Sequence, residues 1–416
     1  MTSRAGRALR MSYLVAGVAG MAFFFMSVAL LGVWPGRVLE EQTRAMSPER
    51  IVALTPSEAR GRVIYSREGC AYCHTQQVRL VDADIERFGA PTLAWETRLD
   101  YPHLWGTRRI GPDLARATGT RSEDWHYTHL FAPRSIVPGS VMPAYPSLFD
   151  GSPTAPRQGA RDLVAYLDTL GRARELAGPE GEAHARAACA CDDDTMAAMA
   201  FHAPEVNASP ARTRRGDAWP ALPDTVDLAR GRAGYDANCA SCHGPAGLGD
   251  GPGAAGLRPR PANLAEHEYS RPRLAEALWN GVPGTAMQGW RDHAPADLAS
   301  IAAVVQRFST VRPQQAASAD ALAAGRPAYE AHCAQCHGPT GAGDGSAARQ
   351  QRVPPTSFRA QRASLALSLR VLREGVEGTS MAPWTSRLND TELRVVAEYV
   401  QSLFVPGAGP EGRRQP

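Results

Sequence analysis

The most apolar stretch of the chain lies near its start. Residues 11–33 carry no charge and are long enough to cross a bilayer as one helix. Arg4, Arg7 and Arg10 precede this stretch, which predicts that the N-terminus stays in the cytoplasm and that the following residues lie outside. A cleaved signal peptide would have a shorter apolar region and a small-x-small cleavage site. The pattern therefore favours an uncleaved membrane anchor over residues 1–38.

Beyond the anchor, apolar residues recur with helical spacing in segments separated by Gly- and Pro-rich loops. Three of these segments, DLVAYLDTL, DLASIAAVVQRF and DTELRVVAEYVQSLF, each close a longer block of sequence. Asp297 and Asp390 open the second and third segments and are predicted N-caps. The pattern predicts an all-α chain.

The chain also repeats itself. Residues 231–251 return as residues 325–345, displaced by 94 positions, and Met287 maps onto Met381 with the same displacement. We therefore expect one N-terminal transmembrane helix followed by three helical domains. The expected boundaries are an anchor at 1–38, a first domain at 39–172, a linker at 173–222, a second domain at 223–311, a linker at 312–320, a third domain at 321–406 and a disordered tail at 407–416.

Composition narrows the possible partners. The formal charge of +3 is small for 416 residues, and basic and acidic residues are interspersed. The chain has no long basic run with interleaved aromatic residues, so nucleic acid is not an expected ligand.

Six of the eight cysteines form three C-x-x-C-H motifs. The motif residues are Cys70, Cys73 and His74; Cys239, Cys242 and His243; and Cys333, Cys336 and His337. A structural zinc site would need a second ligand pair nearby, and a thiol-disulfide motif would not require the histidine. In covalent haem attachment all three residues are used, since two sulfurs hold the vinyl groups and the imidazole binds iron. The motifs therefore predict three covalently attached haem c groups, which are attached outside the cytoplasm. They also predict that the three domains of the all-α chain are cytochrome c-like.

The repeat also suggests the second axial ligands. An electron-transfer haem takes two axial ligands, and a thioether opposite an imidazole raises its potential. Met287 and Met381 lie 44 residues after the motif histidine, in equivalent Gly-rich loops. His267 and His293 are alternatives in the second domain, whereas His332 in the third lies too close to the attachment turn.

The first domain has the same order of haem motif, candidate methionine and closing helix, but the segment between motif and methionine is longer. Its candidate methionine, Met142, follows His74 by 68 residues. His126 and His129 are alternative ligands, and ligation by two histidines would lower the potential. As metal ligands we thus expect His74 with Met142, His243 with Met287 and His337 with Met381.

Several ordered strings of the first domain resemble the mono-haem subunit of cbb3-type cytochrome c oxidases. They are GCAYCHTQ, HLWGTRRIGPDLAR, DWHYTHL and PRSIVPGSVMPAY, together with the preceding anchor. The chain from about residue 223 resembles the tandem domains of the same oxidase's dihaem subunit.

The resemblance implies roles for individual residues. It makes Met142 the axial ligand of the first haem and the Pro112 carbonyl the acceptor for the His74 imidazole. Pro261 and Pro355 match the loop proline that has this role in small cytochromes c. Arg108 and Arg109 either neutralise haem propionates or are solvated surface charges.

The resemblance further implies electron transfer without a catalytic site in this chain. Electrons would pass from a donor cytochrome c or cytochrome bc complex to the catalytic subunit of a haem-copper oxidase, with the haem domains in the periplasm of a bacterium and the anchor in its inner membrane. The alternatives are donation to another acceptor, such as a nitric oxide reductase, and a catalytic multihaem enzyme. An aromatic-rich insertion is expected to dock on the oxidase. Its aromatic residues are Trp95, Tyr101, Trp105, Trp125 and Tyr145.

The predicted linker holds the two remaining cysteines, Cys189 and Cys191. Met196, Met199, His184 and His202 lie close to them in sequence. Soft ligands at this density could bind copper. An inter-domain connector with incidental or oxidised thiols is the alternative that we favour.

Overall fold

The structure is a computed structural model that describes residues 4–45, 52–98, 100–178, 221–291, 293–311 and 318–409. The chain begins with helix α1 (Arg4–Val28), a π-helical turn (Ala29–Val33) and helix α2 (Trp34–Ala45). Residues Gly6–Val38 within them form a 33-residue candidate membrane span with a mean hydropathy of 2.3. The apolar side chains of this span are exposed, as expected for a helix that contacts lipid.

Among the described residues of the first domain, the bounded helices are α3 (Pro56–Arg67), α4 (Asp82–Phe88), α5 (Glu123–Phe131), α6 (Pro133–Ile136) and α7 (Gln158–Leu167). Short 3₁₀ turns lie at Cys70–Tyr72, Ala94–Thr97 and Pro146–Leu148. Helix α3 begins sharply because the Thr55 hydroxyl accepts the Glu58 N–H, the Glu58 carboxylate accepts the Thr55 N–H, and Pro56 has no N–H to leave unpaired.

The second and third domains contain equivalent elements. The second has α8 (Leu228–Asn238), α9 (Ala240–His243), strand β1 (His267–Tyr269), α10 (Arg271–Asn280) and α11 (Pro295–Phe308). The third has α12 (Ala319–His332), α13 (Ala334–His337), strand β2 (Gln361–Ala363), α14 (Leu365–Glu374) and α15 (Asp390–Ser402). Their 3₁₀ turns are Ala254–Gly256, Leu264–Glu266 and Ala348–Gln350.

Each domain is closed by the crossing of its first and last long helices. Gly61, Gly231 and Gly325 lie at the three crossings, where an added Cβ would overlap the backbone of the closing helix. Only glycine allows the two backbones to approach this closely. The crossing helices bury leucine, isoleucine and valine side chains against the haem-motif segment, so the core of each domain lies beside its motif.

The prediction of N-capping aspartates is wrong in detail. Ala294 precedes α11, so Asp297 lies inside the first turn. In α15 the cap is Asn389, whose side chain accepts the Glu392 N–H at 3.0 Å, and Asp390 is the first helical residue. Both aspartates still place negative charge near a helix N-terminus, where the helix dipole favours it.

Strands β1 and β2 join the second and third domains as an antiparallel pair. This pairing was not predicted from the sequence. Ser270 N–H donates to the Ala360 carbonyl at 2.9 Å, and Ser364 N–H donates to the Glu266 carbonyl at 2.8 Å. Because Ser270 and Ser364 are repeat equivalents, as are Glu266 and Ala360, the two domains meet with local two-fold symmetry.

The ends of the predicted linker and tail are packed. Arg174 forms an ion pair with Glu96, and Leu222 is buried in the core of the second domain. The Ser270 hydroxyl donates to the carbonyl of Ala408 at 2.6 Å, so the predicted disordered tail is wrong for residues 407–409. Residues 179–220 with Cys189 and Cys191, residues 312–317 and residues 410–416 lie outside the described residues.

Candidate haem sites

The three C-x-x-C-H motifs adopt the same turn. In the second domain the Cys242 and His243 N–H groups donate to the Cys239 carbonyl at 3.1 and 2.9 Å. The equivalent bonds measure 3.1 and 3.0 Å in the first domain and 3.1 and 2.9 Å in the third. One closed turn therefore carries both sulfurs and leads directly into the histidine, as covalent attachment to two vinyl groups requires.

Each motif histidine is oriented by a backbone carbonyl. His74 Nδ1 lies 2.8 Å from the Pro112 carbonyl, as expected. In the second and third domains the acceptors are Ala262 at 3.1 Å and Thr356 at 3.0 Å. Burial lowers the pKa of all three histidines, and the carbonyl opposes this decrease. A neutral ring with Nδ1 bonded leaves Nε2 available to a metal.

The prediction that Pro261 and Pro355 accept these bonds is therefore wrong by one residue. The Pro261 carbonyl instead faces Gly249, and the Pro355 carbonyl faces Gly343. Both glycines have φ values in the left-handed region, at +74° and +77°. The proline carbonyl thus lies against the glycine turn that follows the motif, and the next carbonyl pairs with the imidazole.

The three candidate methionines share one local geometry. The N–H of Met142 donates to the Ser140 hydroxyl at 3.2 Å. The N–H groups of Met287 and Met381 donate to threonine hydroxyls two residues earlier, both at 3.1 Å. The role of this hydroxyl was not predicted, although a Ser or Thr stands two residues before each methionine in the sequence.

All three motifs and all three methionines line one continuous cavity of about 1700 Å³. Small-molecule pockets usually measure ~300–1,000 Å³, so this cavity is large enough for more than one bound group. The structure thus brings each predicted histidine and methionine to a shared space. Their roles as iron ligands remain predictions.

The cavity lining fits a haem. Trp290 Nε1 and His129 Nδ1 are buried there without a hydrogen-bond partner among the described residues. Buried donors are normally paired, and haem propionates are acceptors that would pair with such groups. Arg260 and Arg387 also line the cavity and are exposed, which suits carboxylates at a haem edge.

The alternative histidine ligands differ in position. His129, His267, His293 and His332 line the cavity, whereas His126 does not. His267 Nδ1 is 2.8 Å from the Asn263 carbonyl. Burial, with a smaller effect of Arg121, lowers the pKa of His129 to about 4. His129 is therefore a neutral group near the first site, whereas His126 has no access to it.

Arg109 has a different environment from the one expected beside a propionate. Its guanidinium pairs with Asp84, donates to the Gln77 carbonyl at 2.8 Å and lies 4.6 Å from the centre of the Phe88 ring. Arg108 is exposed, and neither side chain lines the cavity. Arg109 stabilises the long insertion, so the propionate prediction is not supported for either residue.

The insertion aromatics are mostly internal. Trp95 is only 3% exposed and packs inside the first domain, whereas Tyr101 is 81% exposed. Trp105, Trp125 and Tyr145 are partly buried. The prediction of an aromatic docking surface is therefore wrong for Trp95.

The zinc and disulfide alternatives find no support. Within the described ranges, no group of three or more Cys, His, Asp or Glu side chains could hold a metal ion. The six motif cysteines are not disulfide-bonded to one another.

Comparison with known proteins identifies the families of both parts. Residues 13–171 match the family described as "Cytochrome C oxidase, mono-heme subunit/FixO". Residues 226–305 and 320–400 match "Cytochrome C oxidase, cbb3-type, subunit III". The chain therefore matches two families of cbb3-type cytochrome c oxidase subunits, one in each part. It joins sequences of two cbb3 oxidase subunits in one polypeptide, and haem c is the cofactor that these families imply.

Curated relatives agree with the second match. The cbb3-type cytochrome c oxidase subunit CcoP of Azospirillum sp. (strain B510) is 26% identical over 42% of this chain and 62% of its own length. Subunit FixP of Bradyrhizobium sp. (strain ORS 278) is 27% identical over 44% of this chain and 63% of its own length. The chain thus spans about three fifths of the length of these relatives.

One solved structure is also similar in part. A chain of the Kuenenia stuttgartiensis reducing HAO-like protein complex is 25% identical over 44% of this chain and 99% of its own, with a TM-score of 0.22. This score is too low to bear on the fold.

Proposed function

We propose that this protein is a membrane-anchored trihaem cytochrome c that passes single electrons to the catalytic subunit of a cbb3-type haem-copper oxidase. One observation carries the proposal: the predicted ligands of all three irons line one continuous cavity. Haem, when bound, supplies the reversible one-electron chemistry. The protein provides the ligands, excludes water and fixes the order of the sites.

The proposed domain boundaries are those expected from the sequence, except that residues 407–409 are not part of a disordered tail. The motif cysteines would hold the haems through thioether bonds, and the six side chains that would bind iron are those of His74 and Met142, His243 and Met287, and His337 and Met381. The anchor spans the inner membrane with the N-terminus in the cytoplasm. This orientation rests on Arg4, Arg7 and Arg10 before the apolar helix.

The rim of the cavity supports the first domain as the exit towards the oxidase. Tyr72, Ile110, Val137 and Val141 line the cavity and are 79%, 50%, 42% and 71% exposed. In the described parts of the second and third domains, no large apolar side chain is both exposed and part of this lining. An exposed apolar patch beside a redox site marks a protein interface. We call these four residues the apolar rim.

The other two domains form the entry for electrons. Exposed Arg260 and Arg387 line the cavity there. A basic rim steers an acidic donor surface and makes association sensitive to salt. A soluble cytochrome c or the cytochrome of a bc complex would approach this side.

A double substitution of the apolar rim tests the exit. Tyr72→Glu with Ile110→Glu places two charges in the patch, and co-purification of the full chain with the oxidase catalytic subunit should be lost, since burying unpaired charge in an interface is costly. Leu248→Glu is the matched control, because Leu248 is 47% exposed on the second domain and lies outside the cavity. Loss of co-purification in the control alone would assign docking to the second domain and overturn the proposal.

A further inference from the structure

Three side chains form a stack in the first domain. The guanidinium carbon of Arg121 lies 4.6 Å from the centre of the Trp125 ring. The Trp125 ring in turn stacks on His129, with 4.7 Å between ring centres and 16° between planes. Trp125 and His129 are four residues apart on α5 and therefore share one face of that helix. We call Arg121, Trp125 and His129 the bridge stack.

The bridge stack lies where the first and second haem sites share the cavity. All three side chains line the cavity together with His74 of the first motif and Cys242 of the second. The stack therefore faces the same space as both motifs.

The two domains are held in register around the stack. The Asp124 carboxylate, adjacent to Trp125, accepts the backbone N–H of Arg258 at 2.6 Å. Gly256 packs against Thr128 of α5, and an added Cβ there would overlap the Thr128 hydroxyl. Gly253 N–H donates to the Ser241 carbonyl at 2.9 Å, which ties this contact region to the second motif. Movement of the stack would therefore disturb the attachment turn.

Ordinary core packing does not account for His129. Its Nδ1 is buried without a hydrogen-bond partner among the described residues. A histidine that only fills a core is normally satisfied, because an unpaired buried polar atom costs about 1–3 kcal/mol. A donor that faces the cavity from the end of a stack is expected where a bound group completes the site.

We propose that the bridge stack is the contact through which single electrons pass between the second and first haem sites. This inference rests on the proposed electron-transfer function. In each passage the second site loses one electron and the first site gains it, with no bond made or broken. Trp125 fills the gap with a rigid, water-excluding ring. The Arg121 cation stabilises the reduced, less positive state of both neighbouring sites.

Measured midpoint potentials test whether Arg121 lies close to both the first and the second haem. Arg121→Gln should lower the potentials of the first and second haems and leave the third unchanged, because one cation between two sites acts on both. Arg121→Lys keeps the charge and should restore both potentials. Each potential is assigned by the separate shift that Met142→His, Met287→His or Met381→His produces. A shift of only one potential in Arg121→Gln would overturn the inference.

Exchange kinetics test Trp125. The isolated full chain is mixed with less than one reducing equivalent, and redistribution among the haems is followed by absorbance. Trp125→Leu should slow exchange between the first two sites, because it removes the aromatic ring that lies between Arg121 and His129. Trp125→Phe should slow this exchange less than Trp125→Leu does, because phenylalanine retains an aromatic ring. Tyr127→Phe is the control, because Tyr127 lies on the same helix but packs on Phe149 inside the first domain.

The outcomes separate this inference from the proposed function. Exchange and potentials are measured without an oxidase, so they do not depend on docking. If both Trp125 variants exchange electrons at the native rate and still co-purify with the oxidase, the proposed role of the bridge stack is refuted and the proposed function is not. If Trp125→Leu slows electron exchange but the native chain does not bind an oxidase, the role of the bridge stack is supported and the proposed partner is refuted. Full haem content shows that each variant has folded.

Discussion

Glu268 and Arg362 form an ion pair although they occupy the same position in their respective repeats. They are 94 residues apart and pair directly across β1 and β2, with Arg362 Nε 3.1 Å from the carboxylate. Identical residues here would place like charges opposite each other, which destabilises a strand pair. The divergence of the two repeats at this position therefore favours their association within one chain.

Reversing one of these charges should weaken the contact between the second and third domains. Arg362→Glu places two carboxylates opposite each other, and we expect a loss of about 1 kcal/mol in the free energy of unfolding. The double variant Glu268→Arg with Arg362→Glu should recover most of this loss. Denaturant unfolding of the haem-loaded chain measures both.

The control reverses the charge of one partner in an exposed ion pair. Arg326 and Glu330 are on the surface of α12, with side chains 67% and 56% exposed. Arg326→Glu should cost less than about 0.5 kcal/mol, as exposed helix pairs do. An equal loss in both variants, or no recovery in the double variant, would contradict a specific role for the Glu268–Arg362 pair.

Asp84 should make the stability of the first domain depend on pH. Burial raises the pKa of this carboxyl, but hydrogen bonds from Arg79 and Arg109 outweigh it and hold the pKa well below its ordinary value. A lowered pKa contributes stability above the unfolded-state pKa of about 3.9, and this stability is lost as pH falls through the folded-state value.

The Asp84→Asn variant tests this account. At pH 7 it should cost about 3–5 kcal/mol, because it leaves the mostly buried Arg109 with an incomplete set of partners. The difference from the native chain should shrink as the pH falls below the ordinary carboxyl pKa. Denaturant unfolding at several pH values measures it, and a difference that stays constant with pH would refute the linkage.

Haem stoichiometry checks the cofactor prediction. Three C-x-x-C-H motifs predict three covalent haems per chain, and Cys239→Ala with Cys242→Ala should reduce the number to two. A pyridine haemochrome assay on denatured protein measures the covalent haem. Fewer than three in the fully matured native chain would contradict the prediction.

The sequence was sufficient for the features that repeat or that use local spacing. The all-α class follows from helical periodicity, and the haem motifs and Met287 with Met381 follow from residue identity and a constant offset. The family resemblance added Met142 and the Pro112 carbonyl, and the structure places both in the first site.

Features that depend on the path of the backbone could not be predicted. The carbonyls of Ala262 and Thr356 replace those of the prolines because the preceding carbonyls face glycine turns. The direction in which a backbone carbonyl points cannot be read from the identity of its residue. From the sequence Trp125 is only one of the aromatic residues of the insertion, because its neighbour Asp124 meets Arg258 only through the packing of two domains.

Replacement of the candidate methionines tests the axial ligands. Met381→His should lower the potential of the third haem, because imidazole stabilises the oxidised iron more than a thioether does. It should also remove one share of the near-infrared methionine-to-iron band, and Met287→His should do the same for the second haem. An unchanged band in either variant would show that its methionine is not a ligand.

The hydroxyl before each methionine should hold the ligand loop in place. Thr379 accepts the Met381 N–H at 3.1 Å and donates to the Val376 carbonyl at 2.8 Å. Thr379→Val keeps the side-chain shape but leaves both backbone groups without this partner, at a cost of about 1 kcal/mol per bond. The methionine-to-iron band of the third haem should then weaken at lower temperature or denaturant concentration than in the native chain. Thr379→Ser retains the hydroxyl and should preserve the band, whereas equal weakening in both variants would mean that the methyl group, not the hydroxyl, positions Met381.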